Sequence, residues 1–515
     1  MAIETKSITT PQAIIQRDNI LLTNPRTEQI RGIAEIENPE FNYLSPEMAD
    51  QLQEIIGRIF PAEQVLAEKI EGKSDKFIIR ETAKYNLKVQ RIFNHLHGES
   101  NIPHLQASVA YPKETTRAED HQVEEQTNAN QSEIAVFHIA GIISTAAQYS
   151  PTMADIYSML MENDKLPKQG LVCTLGSHVG KDALMKGFEF PEHIIERGSY
   201  YAAFIVQLLN QQKEMGRKIP EKLIVSGHSM GAPDAVVAQA ILKELLVKNN
   251  IQTEISGLIM LQPSGQFDRE IGKFIVNAGK EFFFWQRAVR SKYPLLWNIR
   301  AQEEMIEQAR KSGYQGRFTV EELQGELNKM NANRENPPDL NEDEKRRLKE
   351  IDQNLEDPNL TWPMWIKWRY KRYNLLFPAL KRIAEGIKPG YWSDKDNYWA
   401  LFKFIMKAED RLAAFKPMDL WMRNSIGPQT DVALVLGGGQ KNLEDEFFSA
   451  DLAKQRMMEP LTDYLPHAGH ILNAVKINWS HGDYLLRYKE FKEMFGRIFE
   501  WILSPEKAKL SEVNL

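Results

Sequence analysis

The chain contains one cysteine, Cys173, in 515 residues. A single thiol excludes an internal disulfide framework and any metal site built from several cysteines. No run of about 18 or more apolar residues occurs, so no membrane-spanning helix is expected. The opening MAIETKSITT lacks the apolar core of a secretory signal. Excess positive charge is missing as well: 64 Lys and Arg stand against 70 Asp and Glu, a formal balance of −6. General binding of nucleic acid through a basic surface is therefore not expected. There is no glycine loop of the P-loop or dinucleotide type. What is present is ordinary globular composition, 42% hydrophobic and 26% charged, too apolar for a disordered chain. These features point to a soluble, cytoplasmic protein of several domains, or of one large domain with insertions.

The pattern changes along the chain. Residues 1–100 read as helical and charged, with helical spacing in AEQVLAEKIEG and from Ile78 to His97. LQASVAY resembles a strand, and the nearly apolar-free stretch 113–132 reads as an exposed linker. From Glu133 short apolar runs alternate with helical ones. IAVFHI (134–139), GLVCTL (170–175), KLIVS (222–226) and GLIML (257–261) read as buried strands. Helices are expected at 199–215 and 232–248. Such alternation predicts an α/β protein with a mostly parallel sheet flanked by helices. Between 266 and 428 the alternation stops, and eight of the chain's ten tryptophans fall there. The charged interval 331–357 inside this stretch reads as a solvated excursion. DVALVL (431–436) and AVKINW (474–479) then resume the strands, with a helix expected near 443–458. Tyr488, Phe491, Phe495, Ile498 and Ile502 mark one face of a final helix. The expected division is an N-terminal helical extension and linker (1–132), a core in two parts (133–265 and 429–515), and an inserted helical cap (266–428).

The sharpest local signal is Gly227-His228-Ser229-Met230-Gly231, a G-x-S-x-G pentapeptide. Roughly 0.2 copies would arise by chance in such a chain, given glycine and serine near ~7% each. Its setting adds weight, because an apolar strand ends before it and a small-residue helix starts after it. A serine held between strand and helix sits on a very tight turn, where glycines remove colliding side chains. The turn lifts the hydroxyl clear and aims the first helical N–H groups at a developing oxyanion.

With GHSMG between KLIVS and APDAVVAQAIL, the chain resembles the α/β-hydrolase superfamily, in particular its serine esterases and lipases. The resemblance covers about 133–265 and 429–503 in strand order. It implies the α/β-hydrolase fold and a nucleophile–acid–histidine order along the chain. Ser229 then corresponds to the nucleophile. His481, after the expected last strand and before the final helix, corresponds to the histidine, with His470 as the second choice. The acid slot after the strand 431–436 falls on Gln440 or Lys441, neither of which can serve. Asp445 is the first choice for the acid, Glu444 a neighbour, and Asp268, after the GLIML strand, the alternative. The oxyanion donors correspond to the N–H groups of Met230 and of Ile142, with Gly141 or Ile143 beside the latter.

This reading predicts a serine hydrolase of carboxylic esters, with medium or long acyl chains, that needs no metal and no organic cofactor. The substrate would be a small-molecule or lipid ester. In 361–383 Trp362, Trp365 and Trp368 interleave with Lys367, Arg369, Lys371 and Arg372, a pattern suited to core packing or to peripheral contact with a membrane surface. Two other readings stay open: a thioesterase or other acyl hydrolase on the same fold, and a non-catalytic binding protein. His95 and His97 with His104, and His467 with His470, are poor metal sets without cysteines or matched acids.

Overall fold

The computed structural model describes residues 16–18, 33–41, 44–62, 72–98, 105–112, 134–141, 170–177, 191, 193–263, 341–355, 430–437, 471–476 and 488–503, and single positions between them. Three strands and two helices come first: β1 (Gln16–Asp18), β2 (Ile33–Phe41), α1 (Pro46–Ile59), α2 (Asp75–Leu96) and β3 (Leu105–Pro112). Then follow β4 (Ile134–Ile139), β5 (Gly170–Leu175), α3 (Ile194–Glu214), β6 (Lys222–His228), α4 (Gly231–Lys248) and β7 (Glu254–Leu261). The last are α5 (Glu342–Leu355), β8 (Asp431–Gly437), β9 (Ile471–Lys476) and α6 (Tyr488–Leu503).

The strands form one nine-stranded sheet in the order β1-β2-β3-β5-β4-β6-β7-β8-β9. The first three pair antiparallel, as does β3 with β5. From β5 to β9 every pairing is parallel. The α/β expectation is therefore met, and the order reverses once, between β5 and β4, so that β6 lies at the middle of the parallel part.

Alternation along the strands divides the core into two layers. Ala135, Phe137, Ile139, Leu223 and Val225 join α1, α2, α3 and α4 in the larger one. Ile134, Val136, Ile224, Ile259 and Val435 meet Phe491, Phe495, Ile498 and Ile502 of α6 in the other. The final helix thus buries the face that its three- and four-residue spacing marks. Local signals fix the helix starts. Ser45 Oγ accepts from Met48 N at 3.2 Å ahead of Pro46. His193 Nδ1 accepts from Ile195 N at 3.2 Å and opens α3.

Two expectations are corrected. The region 1–100 is not wholly helical, because 16–18 and 33–41 are strands of the main sheet. Pro39 bars a helix interior there, and pairing with β3 supplies the backbone partners that helical reading would have sought within the segment. The last strand runs over 471–476 rather than 474–479. Its register, Val432 opposite Ile471 through Gly437 opposite Lys476, is set by β8, and apolar content alone does not define strand ends. His470 therefore directly precedes the strand. The helix expected at 443–458 lies outside the described residues. The charged interval contains α5, which is largely exposed except for Ile351. No described helix is long and apolar enough to cross a membrane.

Candidate active site

Ser229 follows β6 directly and precedes α4. Its φ of +54° is left-handed, and it is one of three described non-glycine residues with positive φ. Such a conformation costs on the order of 1 kcal/mol or more, so the surroundings must impose it. They do so through hydrogen bonds and close backbone approach. Ser229 N–H donates to Leu261 O at 2.9 Å, carrying the β6–β7 ladder one residue past the strand. Ala232 N–H donates back to Ser229 O at 3.2 Å and starts the helix.

The two glycines have geometric reasons. A Cβ on Gly227 would strike the Gly231 carbonyl and approach Ala232 Cα to 2.7 Å. A Cβ on Gly231 would strike the carbonyls of Ile139 and Ala140, at the end of β4. Chain segments meet here at backbone distance, which no other side chain permits. The same approach brings the loop after β4 to the serine. At Gly141 an added Cβ would lie 3.1 Å from Ser229 Cβ and 3.0 Å from His228 Nδ1. Met230 stands at the start of α4, where the N–H groups have no intrahelical acceptor and the helix dipole favours negative charge. Ser229, Met230 and Gly141 are thus brought together. Ile142, His481, Asp445 and Asp268 lie outside the described residues, as do His470 and Glu444.

Side chains beneath the turn were not anticipated. Arg197 of α3 donates through Nε to both Asp234 oxygens at 3.0 Å, and both residues are buried. Burial holds the Asp234 carboxyl above its ordinary range, with the Arg197 guanidinium pulling the other way. Next to Arg197, Glu196 meets His95 Nδ1 of α2 at 2.7 Å. Burial likewise raises Glu196, opposed first by His95. A chain of charged contacts therefore runs from α2 through α3 into the first turn of α4. A hint of it is legible in sequence, since charged residues stand inside otherwise apolar helical segments.

Other reactive groups can be set aside on geometry. His138, on β4, is fully buried with Nδ1 2.8 Å from Ser226 Oγ and its ring edge-on to Phe495. Burial lowers its pKa to about 3, so it stays neutral. The buried Cys173 thiol is pushed well up by desolvation and cannot serve as a ready thiolate. His95 is engaged by Glu196, and His97 faces Gln53 Oε1 at 2.9 Å, while His104 lies outside the described residues. Among the described residues no group of three or more His, Cys, Asp or Glu could hold a metal ion. Of the segment 361–383, four positions are described. Lys371 Nζ lies 4.3 Å from the centre of the Trp368 ring, and Met364 is 41% exposed.

No family model and no curated protein matches the chain. Among solved structures it is similar to the peroxisomal α/β-hydrolase Lpx1 of Saccharomyces cerevisiae, 10% identical over 79% of this chain and 85% of that one, with a TM-score of 0.36. The esterase Pf2001 of Pyrococcus furiosus is 11% identical over 77% and 86%, with a TM-score of 0.34. The thermostable carboxylesterase EstE1, cloned from a metagenomic library, is 9% identical over 78% and 86%, with a TM-score of 0.33. Strand order, parallel crossovers and the left-handed serine between β6 and α4 give the chain the α/β-hydrolase fold.

Proposed function

We propose that the chain is a serine hydrolase of carboxylic esters with apolar or lipid-like acyl groups. The observation that carries this reading is Ser229: a left-handed serine between a central parallel strand and a helix start, pressed against the loop after β4. Strain of this kind persists where the surrounding structure over-determines it, and it aims Oγ away from the sheet. In this reading Ser229 Oγ attacks the ester carbonyl carbon, and its proton passes to His481. The N–H groups of Met230 and Ile142 hold the oxyanion while the tetrahedral intermediate forms. Collapse expels the alcohol, which takes the proton from His481, and water then releases the acid from the acyl-enzyme. Asp445, or Asp268 in its place, orients the imidazole. The tryptophan-rich stretch 266–428 supports an apolar substrate, and its 361–383 segment suits contact with a lipid surface.

Replacing the nucleophile tests the reading. Ser229→Ala is expected to lower kcat/KM for p-nitrophenyl esters by on the order of 10⁴-fold or more. Its thermal transition should stay close to that of the parent, because alanine keeps the Cβ and the backbone contacts of the turn and removes one oxygen. Turnover equal to the parent enzyme would refute the assignment.

A further inference from the structure

Beside Ser229, a second left-handed residue ends the neighbouring strand. Gln262 has a φ of +41° and follows β7 as Ser229 follows β6. Its N–H donates to Val435 O at 2.7 Å, so the sheet continues past it as it does past the serine. Both residues are buried, as is His228, which ends β6 opposite Leu261. Across the two strand ends His228 Nε2 lies 3.4 Å from Gln262 Oε1. An amide oxygen only accepts, so this contact calls for the hydrogen on Nε2. The other nitrogen is Nδ1. It lies against Gly141, where an added Cβ would come within 3.0 Å of it and within 3.3 Å of His228 O. The imidazole therefore fills the space between the end of β7 and the loop after β4, beside the nucleophile.

We propose that His228, oriented by Gln262, is a positioning residue that sets the loop after β4 at its working distance from Ser229. The inference rests on the serine-hydrolase reading and adds to it the device that spaces the second oxyanion donor. His228 does not touch the reacting atoms. It acts through Gly141, whose missing side chain lets the ring and the loop approach. A rigid spacer matters because oxyanion donors act only within a narrow range, near 2.7–3.1 Å from the oxygen. Displacing one by about 1 Å can cost on the order of 10²-fold in rate.

The test compares the parent with Gln262→Met, Gln262→Glu and His228→Phe. Rates on p-nitrophenyl butyrate are expressed per Ser229 titrated with a fluorophosphonate, so that a smaller folded fraction does not imitate a slower enzyme. Gln262→Met keeps volume and removes the acceptor; it should lower kcat roughly 10-fold with KM within about twofold, the signature of a transition-state interaction. Gln262→Glu keeps the acceptor and should recover kcat to within about threefold of the parent. His228→Phe should lose more, on the order of 10²-fold, as for a whole oxyanion donor. Equal kcat in Gln262→Met and the parent overturns the inference, as does equal loss in Gln262→Met and Gln262→Glu. A rise in KM at constant kcat overturns it too, since that marks ground-state binding. A parent that neither turns over the ester nor reacts with the fluorophosphonate overturns the functional reading itself, which the other outcomes leave standing.

Discussion

The two faces of the sheet are built by different means. One face is covered by α1 to α4, and charged pairs are buried inside that layer: Arg197 with Asp234, and Glu196 with His95. The other is covered by α6, where rings do the packing. Phe491 stacks on Phe495 at 5.3 Å, and Phe495 meets Phe499 edge-on at 4.9 Å. Among the described residues no buried ion pair lies in that second layer. A buried ion pair adds little net stability over a well-packed apolar pair, but it fixes geometry. Aromatic packing supplies stability and tolerates small shifts of the helix. Helix α4, which starts two residues after Ser229, sits on the charged face, and Asp234 in its first turn is five residues on from the serine. Directional contacts are therefore found where the position of a helix start matters.

The largest effect should come from breaking a charge pair. Asp234→Ala leaves Arg197 buried without its carboxylate and should cost about 3–5 kcal/mol in urea unfolding. Converting both to apolar residues, Arg197→Met with Asp234→Leu, should recover most of that loss while slowing ester turnover. Equal destabilisation by the single and the double change would show that the pair supplies stability rather than placement.

Two glycines offer a matched comparison between the layers. An added Cβ at Gly198 would lie 2.6 Å from Val237 Cγ1 and 3.0 Å from the backbone N of Ala238. Backbone cannot step aside within a helix pair, so Gly198→Ala should cost about 3 kcal/mol. At Gly257 the added atom meets side chains rather than backbone: Ile502 Cδ1 and Cγ2, both at 2.9 Å, and Ile224 Cγ1 at 3.4 Å. Gly257→Ala should therefore cost about 1 kcal/mol, and Ile502→Val, which removes Cδ1 and keeps Cγ2, should relieve part of it. If the two alanines cost the same, the aromatic layer is as rigid as the charged one.

How much of this was legible beforehand depends on the distance over which the information acts. Strands β4 and β5 match their apolar runs residue for residue, because a buried parallel strand writes its own boundaries in valine, isoleucine and leucine. The turn at Ser229 was legible because its requirement is local: glycines two residues either side of a residue that must go left-handed. β2 was not, since 33–41 carries three glutamates and a proline and owes its conformation to β3, over sixty residues on. The contact between His228 and Gln262 was invisible for the same reason. His228 ends β6 and Gln262 directly follows β7, and only the β6–β7 register brings them together. The pairs Arg197–Asp234 and His95–Glu196 are likewise long-range: a charge inside an apolar segment hints at burial, but nothing local says which partner it meets.

The smallest effects at neutral pH are differences in slope, and here the layers should have opposite signs. Burial raises the Asp234 and Glu196 carboxyls above their ordinary values of 3.8 and 4.5. Between the unfolded and the raised folded value the native state binds more protons than the unfolded chain. Their contribution to stability is therefore lost as pH climbs through that window. His138, in the aromatic layer, is the reverse. Its folded value of about 3 lies below the ordinary 6.5, so from pH 3 to 6.5 the unfolded chain binds the extra proton. Stability from this residue grows as pH rises across that interval and is withdrawn on acidification. His138→Gln, which keeps an amide within reach of Ser226 Oγ, should shift the acid-unfolding midpoint to lower pH, followed by tryptophan fluorescence. Glu196→Gln should gain stability relative to the parent as pH rises from 4.5, followed by urea unfolding at a series of pH values. An acid midpoint that His138→Gln leaves in place would mean that a group other than His138 triggers acid unfolding.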